Sequence, residues 1–411
     1  MNFNDFNFHA TIRANIQALN YKEPTPIQAQ TIAPILSGSD VMGLAQTGTG
    51  KTAAFVLPIL PQLMQGPRRK VRALIIAPTR ELTEQTNKVI AQLGRGTGVR
   101  SMSIYGGVSM QPQIMAIKRG VEIICACPGR LLDHIQRGTI NVSNIDMLVL
   151  DEADHMFDMG FLPDIKKIIR AVPEKRQTLL FSATMPEDIR RLTATVLNNP
   201  VRVQVGHEAP IASVSHVFYP VQTARKTDLL KTLLAAGPTG PVLVFARTKM
   251  RAKNIAQQLE NAGYRATALH GNLSQNNRQK ALDGFGRGTY KILVATDVAA
   301  RGIDVRDISH VINYDIPDTV DAYTHRTGRT GRASATGEAF TFVTGSDSGT
   351  AGSIKRMLGE RVQHGRIEGF AVDTSEAPER PRRQMFKPRR PASNSKPARK
   401  PNGRPGDKSR F

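Results

Sequence analysis

The segment Ala45-Gln46-Thr47-Gly48-Thr49-Gly50-Lys51-Thr52 follows an apolar run and precedes a helical stretch, TAAFVLPILPQLM. Glycines in such a loop let backbone N–H groups approach phosphate oxygens, and a helix N-terminus adds favourable dipoles. Lys51 would reach the outer phosphates of a nucleotide, and the Thr52 hydroxyl would ligate Mg²⁺. The strict pattern has Gly where this chain has Ala45. A Gly/Thr turn before a helix is the plainer alternative, and the strand–loop–helix context with Gly-Lys-Thr favours the phosphate loop.

A second cluster, Asp151-Glu152-Ala153-Asp154, closes the apolar run MLVL. An acid at a buried strand end opposite a phosphate loop suits Mg²⁺, usually through water, which is the role expected of Asp151. Glu152 is placed to orient and deprotonate an attacking water. Taken alone, such carboxylates are ordinary solvated loop residues, and the phosphate loop upstream reverses that reading. A third cluster spaces Arg326, Arg329 and Arg332 by three, interleaved with Gly and Thr. A solvated helical face would also give this spacing, but Gly328 and Gly331 argue against a plain exposed helix. A planar guanidinium fork suits a transferring phosphoryl group, so Arg329 and Arg332 are expected to reach it across a cleft. His325 is either structural or couples two domains.

The elements that must position these groups are visible as short apolar runs. In the first half they are VMGL, ALII, VEIICA, MLVL and TLLFS; in the second, VLVF, ATAL, KILVA, HVIN and EAFTFV. Such runs alternating with helical stretches read as buried parallel strands of α/β units, whose ligands bind beyond the strands' carboxyl ends. Two doubly wound parallel-sheet domains are expected, at 1–205 and 214–372, joined by a linker at 206–213 (GHEAPIAS). Residues 373–411 form a basic tail; 376–411 hold twelve Lys and Arg, three Asp and Glu and seven Pro, a net of +9. Such a segment cannot bury a core and is expected to be disordered.

Composition narrows the partner. The 411 residues carry 56 Lys and Arg against 34 Asp and Glu, a net charge of +22, which favours a polyanion. Trp is absent and aromatics make up 5%, so a nucleic acid would be held by its phosphates and sugars rather than by stacked bases. No apolar run approaches the ~18 residues of a membrane span, and the N-terminus lacks the look of a secretory signal, so a cytoplasmic protein is expected. Cys125 and Cys127 read as neighbouring core thiols in a strand.

These motifs resemble the DEAD-box family of RNA helicases through nearly all of residues 1–345, and the basic tail is similar to that of the bacterial RhlE-type subgroup. The resemblance implies two tandem RecA-like domains, ATP with Mg²⁺ as cofactors, and RNA-stimulated ATP hydrolysis coupled to unwinding. Tyr21-Lys22-Glu23-Pro24-Thr25-Pro26-Ile27-Gln28 resembles the Q motif, which implies that Tyr21 stacks on adenine, supported by Phe3, while Gln28 reads its edge. Ala45, Gln46, Thr47, Gly48, Thr49, Gly50, Lys51 and Thr52 would then hold the nucleotide, with Asp304 of Arg301-Gly302-Ile303-Asp304 completing the site from the second domain. Ser182-Ala183-Thr184 looks like the motif coupling hydrolysis to strand separation, with Ser182, Thr184 and His325 in that role. RNA-backbone contacts are implied for Thr79, Arg80, Gly107, Pro128, Gly129 and Arg130 in the first domain and Thr248, Arg278 and Thr296 in the second. Assemblies on ribosomal precursors or in RNA degradation are suggested partners.

The chain departs from the family pattern at Cys127, where Thr is usual, at Thr83, where Ala is common, and at Thr327, where Ile is common. An ATP-gated RNA clamp, an RNA-annealing chaperone driven by the tail, and a DNA helicase on the same core stay open as alternatives.

Overall fold

Strands of four residues such as Ala73–Ile76 and Met147–Leu150 have no face for water, so each must lie inside a sheet covered on both sides. The computed structural model describes residues 1–46, 48–205, 214–238, 240–300, 308–331, 337–368 and 370, and these fall within one compact unit, Met1–Val372. The expectations for Thr47, for 301–304 with Asp304, for Arg332, for the linker 206–213 and for the tail 373–411 lie outside the described residues.

Two seven-stranded sheets form, and the pairings within both are parallel. The first holds β1 (Val41–Leu44), β2 (Ala73–Ile76), β3 (Ser101–Ile104), β4 (Ile123–Ala126), β5 (Met147–Leu150), β6 (Gln177–Ser182) and β7 (Val201–Gln204). The second holds β8 (Val214–Pro220), β9 (Val242–Phe245), β10 (Ala266–Leu269), β11 (Ile292–Ala295), β12 (His310–Asn313), β13 (Gly337–Val343) and β14 (Val362–His364). Their orders are β3-β4-β2-β5-β6-β1-β7 and β10-β11-β9-β12-β13-β8-β14, the same order twice.

Alternate residues of each strand supply opposite faces. Ala73, Ile75, Met147 and Val149 enter one core of the first sheet, and Leu74, Ile76, Leu148 and Leu150 the other. Val242, Val244 and Ile312 pack on one side of the second sheet; Leu243, Phe245 and Val311 pack on the other. All ten apolar runs picked from the sequence contain strands. The four strands that were not picked are β3, β7, β8 and β14. Three of these are sheet edges and the fourth, β8, lies beside one, so they alternate with polar residues instead of forming continuous runs.

Because the strands are parallel, all carboxyl ends of a sheet open onto one rim. Ala45–Lys51 follows β1, Pro78–Arg80 follows β2, Gly106–Gly107 follows β3, Pro128–Arg130 follows β4, Asp151–Asp154 follows β5 and Ser182–Thr184 ends β6. Thr79 and Thr248 follow β2 and β9, which hold the same place in the two sheets, and each caps its helix. Thr79 Oγ1 accepts from Leu82 N at 3.3 Å, and Thr248 Oγ1 from Arg251 N at 3.2 Å.

Candidate active site

The loop after β1 is held open for an anion. Gly50 has φ +93°, and a Cβ there would stand 2.5 Å from Gln28 Nε2, so both backbone and space require glycine. Gln28 Nε2 donates to the Gly50 carbonyl at 3.0 Å and its Oε1 accepts from Thr25 N at 3.0 Å. One amide thus fastens the Tyr21–Gln28 segment to the loop. Tyr21 stands beside Phe3, ring centroids 6.2 Å apart, against the core that also buries the helix Lys51–Met64. Ala45 continues the strand, donating its N–H to the Ser182 carbonyl at 3.0 Å, so this position needs no glycine. Thr49 Oγ1 closes the turn onto Gln46 O at 2.7 Å. Lys51 begins the helix, and its buried Nζ has no hydrogen-bond partner among the described residues. A buried ammonium without an acceptor is costly, so the pocket is chemically incomplete until an anion such as a phosphate enters.

β5 delivers two carboxylates to this loop. Asp151 is buried and, chiefly through that burial, its carboxyl is pushed up to about 7 despite the attraction of Lys51. Glu152 sits at φ +51° and ψ +55°, a left-handed conformation unusual without glycine and a local strain typical of working sites. Burial alone would raise its carboxyl. The hydrogen bond from His155, then Lys51 and Arg329, outweigh burial and hold it well below the usual carboxylate range. His155 Nδ1 lies 3.0 Å from Glu152 Oε2.

Asp154 ties three motifs together. Its Oδ2 accepts from Ala183 N at 3.2 Å, Thr184 N at 2.8 Å and Thr184 Oγ1 at 2.9 Å. Ser182 Oγ accepts from Asp154 N at 3.2 Å and donates to Thr184 O at 2.8 Å. From the second sheet's side, His325 Nε2 comes to 3.9 Å from the same Asp154 oxygen, and its ring centroid lies 6.5 Å from that of His155.

Arg329 is buried and close enough to Glu152 to lower its carboxyl electrostatically. Arg326 does something else. It grips Asp297 with two nitrogens at 2.6 and 2.7 Å, donates to Asn313 Oδ1 and Asp315 O at 3.0 and 2.7 Å, and stacks over Phe245 at 4.9 Å. It clamps β9, β11 and β12 together rather than facing a ligand.

The residues expected to meet RNA lie on the two rims, and some already touch across the cleft. Arg80 Nη1 donates to Gln275 Oε1 at 3.3 Å and its guanidinium lies 6.0 Å from the Tyr105 ring. Arg278 binds Glu81 through Nε at 2.9 Å and Nη2 at 2.8 Å. Arg130 donates to the Val108 carbonyl at 3.1 Å beside Gly107, whose positive φ brings Arg80 close over bare backbone. Pro128 and Gly129 open the helix Pro128–Gln136, and Thr296 caps the short turn after β11 with its carbonyl. The family departures meet each other: Thr83 Oγ1 lies 3.9 Å from Cys127 Sγ, and donates to Arg80 O at 2.7 Å. Cys125 is in β4 as expected, whereas Cys127 lies beyond its end, preceding Pro128, with its thiol pushed up to about 12 by burial. Thr327 satisfies its hydroxyl on Tyr323 O at 3.0 Å.

Comparison with known proteins fits this geometry. Residues 25–192 match the DEAD/DEAH box helicase model, and residues 225–334 the helicase conserved C-terminal domain. The DEAD-box ATP-dependent RNA helicase CshA of Bacillus subtilis is 43% identical over 88% of this chain and 73% of its own length. That of Streptococcus pneumoniae is 44% identical over 88% and 69%. The chain belongs to the DEAD-box ATP-dependent RNA helicases.

As a DEAD-box helicase it is an ATP hydrolase that acts on RNA, built from two RecA-like sheets. Among solved structures, S. cerevisiae Dbp5 bound to RNA and ADP BeF3 is 28% identical, overlapping 89% of this chain and 95% of its own with TM-score 0.78. A DEAD box protein from Methanococcus jannaschii is 36% identical over 89% and 99%, yet its TM-score is 0.52. Overlap therefore does not follow identity. Within this helicase, sequence reasoning passed over His155 as one of eight unassigned histidines, and gave Asp154 no role beyond the motif. For His155 the three-residue spacing from Glu152 was a readable signal, since i and i+3 share a helix face. No helix among the described residues is long and apolar enough to cross a membrane.

Proposed function

We propose that this helicase binds ATP on the first sheet and RNA along both rims, and uses hydrolysis to separate short stretches of duplex. In this reading residues 1–205 and 214–372 are the two domains, joined by 206–213 and followed by the basic tail 373–411. Tyr21 and Gln28 take the adenine, and Ala45–Thr52 cradle the phosphates, with Asp304 completing the site. The unpartnered buried Nζ of Lys51 and the raised carboxyl of Asp151 fit an anion and a cation side by side. Thr52 and Asp151 would hold Mg²⁺, which when bound draws charge off the phosphates. Glu152, kept ionised, takes the proton of the attacking water while Arg329 and Arg332 offset charge on the transferred group.

The observation that carries the coupling is Asp154, shared between the Ser182–Thr184 turn and His325. Only Ala153 separates it from the base Glu152, so a change at the phosphate reaches the turn and the second domain through one short helix. ATP and RNA each favour the closed cleft, and each therefore strengthens binding of the other. The overlap with the RNA-bound yeast structure supports reading the present arrangement as the closed one. Thr79, Arg80, Gly107, Pro128–Arg130, Thr248, Arg278 and Thr296 hold the RNA backbone without reading sequence. The basic tail supports a RhlE-type placement within the family, and we place the protein in the cytoplasm, on ribosomal precursors or RNA undergoing decay.

Substituting Glu152→Gln keeps shape and removes the base. ATP and RNA should still bind while hydrolysis falls by at least about a hundredfold, leaving the protein locked on RNA. Near-normal turnover in that variant would overturn the assignment. Lys51→Ala separates helicase from chaperone: strand annealing should persist without it, and duplex separation should not.

A further inference from the structure

At the opposite end of the first sheet from the cleft, a groove of about 590 Å³ runs along the edge strand β3. Arg95, Arg100 and Arg119 line it, all exposed, and none makes an ion pair with a described residue. Arg68 donates to the Gly98 carbonyl, and Arg69 packs against Gly120, so two further guanidinium-bearing residues border the groove. Between Glu84 and Glu122 the chain has no Asp or Glu. Glu122 itself is 1% exposed and already occupied, accepting from Arg69 N and Arg100 N at 2.8 Å and pairing with Arg68 at 3.5 Å. Among the described residues that line the groove, none carries a carboxylate to neutralise the three exposed arginines.

We infer that this groove is a second nucleic-acid site, holding the phosphate backbone of RNA that extends beyond the cleft. The charge selects a polyanion. The chain's own tail, with +9, is repelled, and a second copy carries +22. An acidic protein segment is the competing occupant, but RNA is the polyanion this protein already acts on. The groove is not part of the cleft: Arg100 precedes the four-residue strand β3 and Gly106 lies beyond its other end, six residue steps that at ~3.3 Å each span up to about 20 Å. Gly96 and Gly98 are exposed in its lining and carry no side chain to hold a sugar–phosphate chain away. RNA held there would keep the flanking duplex attached while the cleft acts on a short stretch.

The test is the full-length triple variant Arg95→Gln, Arg100→Gln, Arg119→Gln, with a short oligouridylate that fills the cleft alone and a long one that reaches around the domain. With the short RNA, ATPase rate and half-stimulating concentration should match the unaltered protein, which also shows that the variant is folded. With the long RNA, half-stimulation should need on the order of tenfold more RNA at physiological salt. Three lost single-strand phosphate contacts should also reduce the slope of log affinity against log salt by about 2. Equal affinity and equal slope with the long RNA would overturn the proposal and leave the groove to an acidic protein. An equal loss with both RNAs would overturn it too, by making the arginines part of the cleft.

Discussion

Lys226 holds Asp315 at 3.0 Å, both buried, at the place in the second sheet where the first sheet leaves Lys51 facing Asp151 without a hydrogen bond. Each lysine opens the helix after the sixth strand of its sheet, and each aspartate follows the fourth strand. The second sheet thus fills internally the charges that the first keeps for a ligand, and Gln222–Arg225 offers no glycine loop. Arg251 adds a third member at 2.8 Å from the same Asp315 oxygen.

Asp315→Asn should therefore cost stability and leave nucleotide affinity intact. Removing one partner of a buried pair leaves the other uncompensated, about 3–5 kcal/mol. The pH dependence has a definite sign. Burial would raise the Asp315 carboxyl, but the Arg247 N–H, Lys226 and Arg251 hold it below its ordinary value. Its stabilising contribution is complete above about pH 4 and fades as pH falls through the lower folded value. Thermal unfolding should show a large deficit for the variant at pH 7 that narrows near pH 3; a constant deficit would contradict the account.

The sequence made the first sheet's chemistry legible because phosphate loops and strand-end carboxylates are local patterns. Lys51, Asp151 and Glu152 can be read within eight-residue windows. The two parallel sheets were also legible, from their apolar runs, but the correspondence between Lys226–Asp315 and Lys51–Asp151 was hidden, since the pairs share position but no motif. The edge strands β3, β7 and β14 were hidden for a different reason: half-exposed strands such as Val201–Gln204 mix polar with apolar residues. Cross-cleft partners such as Glu81 and Arg278, 197 residues apart, leave no trace in spacing.

That pair yields a prediction about closure. Both side chains are mostly buried, 7% and 12% exposed, so their bond exists only when the sheets approach. Glu81→Gln and Arg278→Gln should each raise the RNA concentration for half-stimulation, and the double variant should be less impaired than the sum. A coupling of roughly 0.5–3 kcal/mol is expected for directly bonded residues. Strict additivity in that cycle would show that the contact does not contribute to the closed state.

His155 should act through Glu152. In His155→Ala the hydrogen bond that helps hold the carboxyl low is lost, and burial then raises it. A base works only when deprotonated, so the acidic limb of the ATPase profile should move to higher pH. Turnover at neutral pH should fall about tenfold or more, with half-saturating ATP little changed. His155→Asn, which can still donate, should recover part of the rate. An unmoved acidic limb would remove His155 from the chemistry.

Arg326 and Arg329 are three residues apart and should fail in opposite ways. Every nitrogen of Arg326 is engaged: Asp297 takes two, and Asn313 with the Asp315 carbonyl shares the third. At 3% exposure, truncation leaves Asp297 without its partner and a hole over Phe245. Arg326→Ala should cost about 3–5 kcal/mol, which lowers the melting temperature by roughly 10 °C in a domain of this size. Arg329 instead adds positive potential at Glu152, and its value lies in the transition state. Arg329→Ala should keep ATP affinity and most of the melting temperature while RNA-stimulated hydrolysis falls by about 10³ or more. Thermal unfolding beside single-turnover ATPase separates the two. If Arg329→Ala melts as low as Arg326→Ala with hydrolysis falling only in proportion to the unfolded fraction, Arg329 is a second clamp and not a finger.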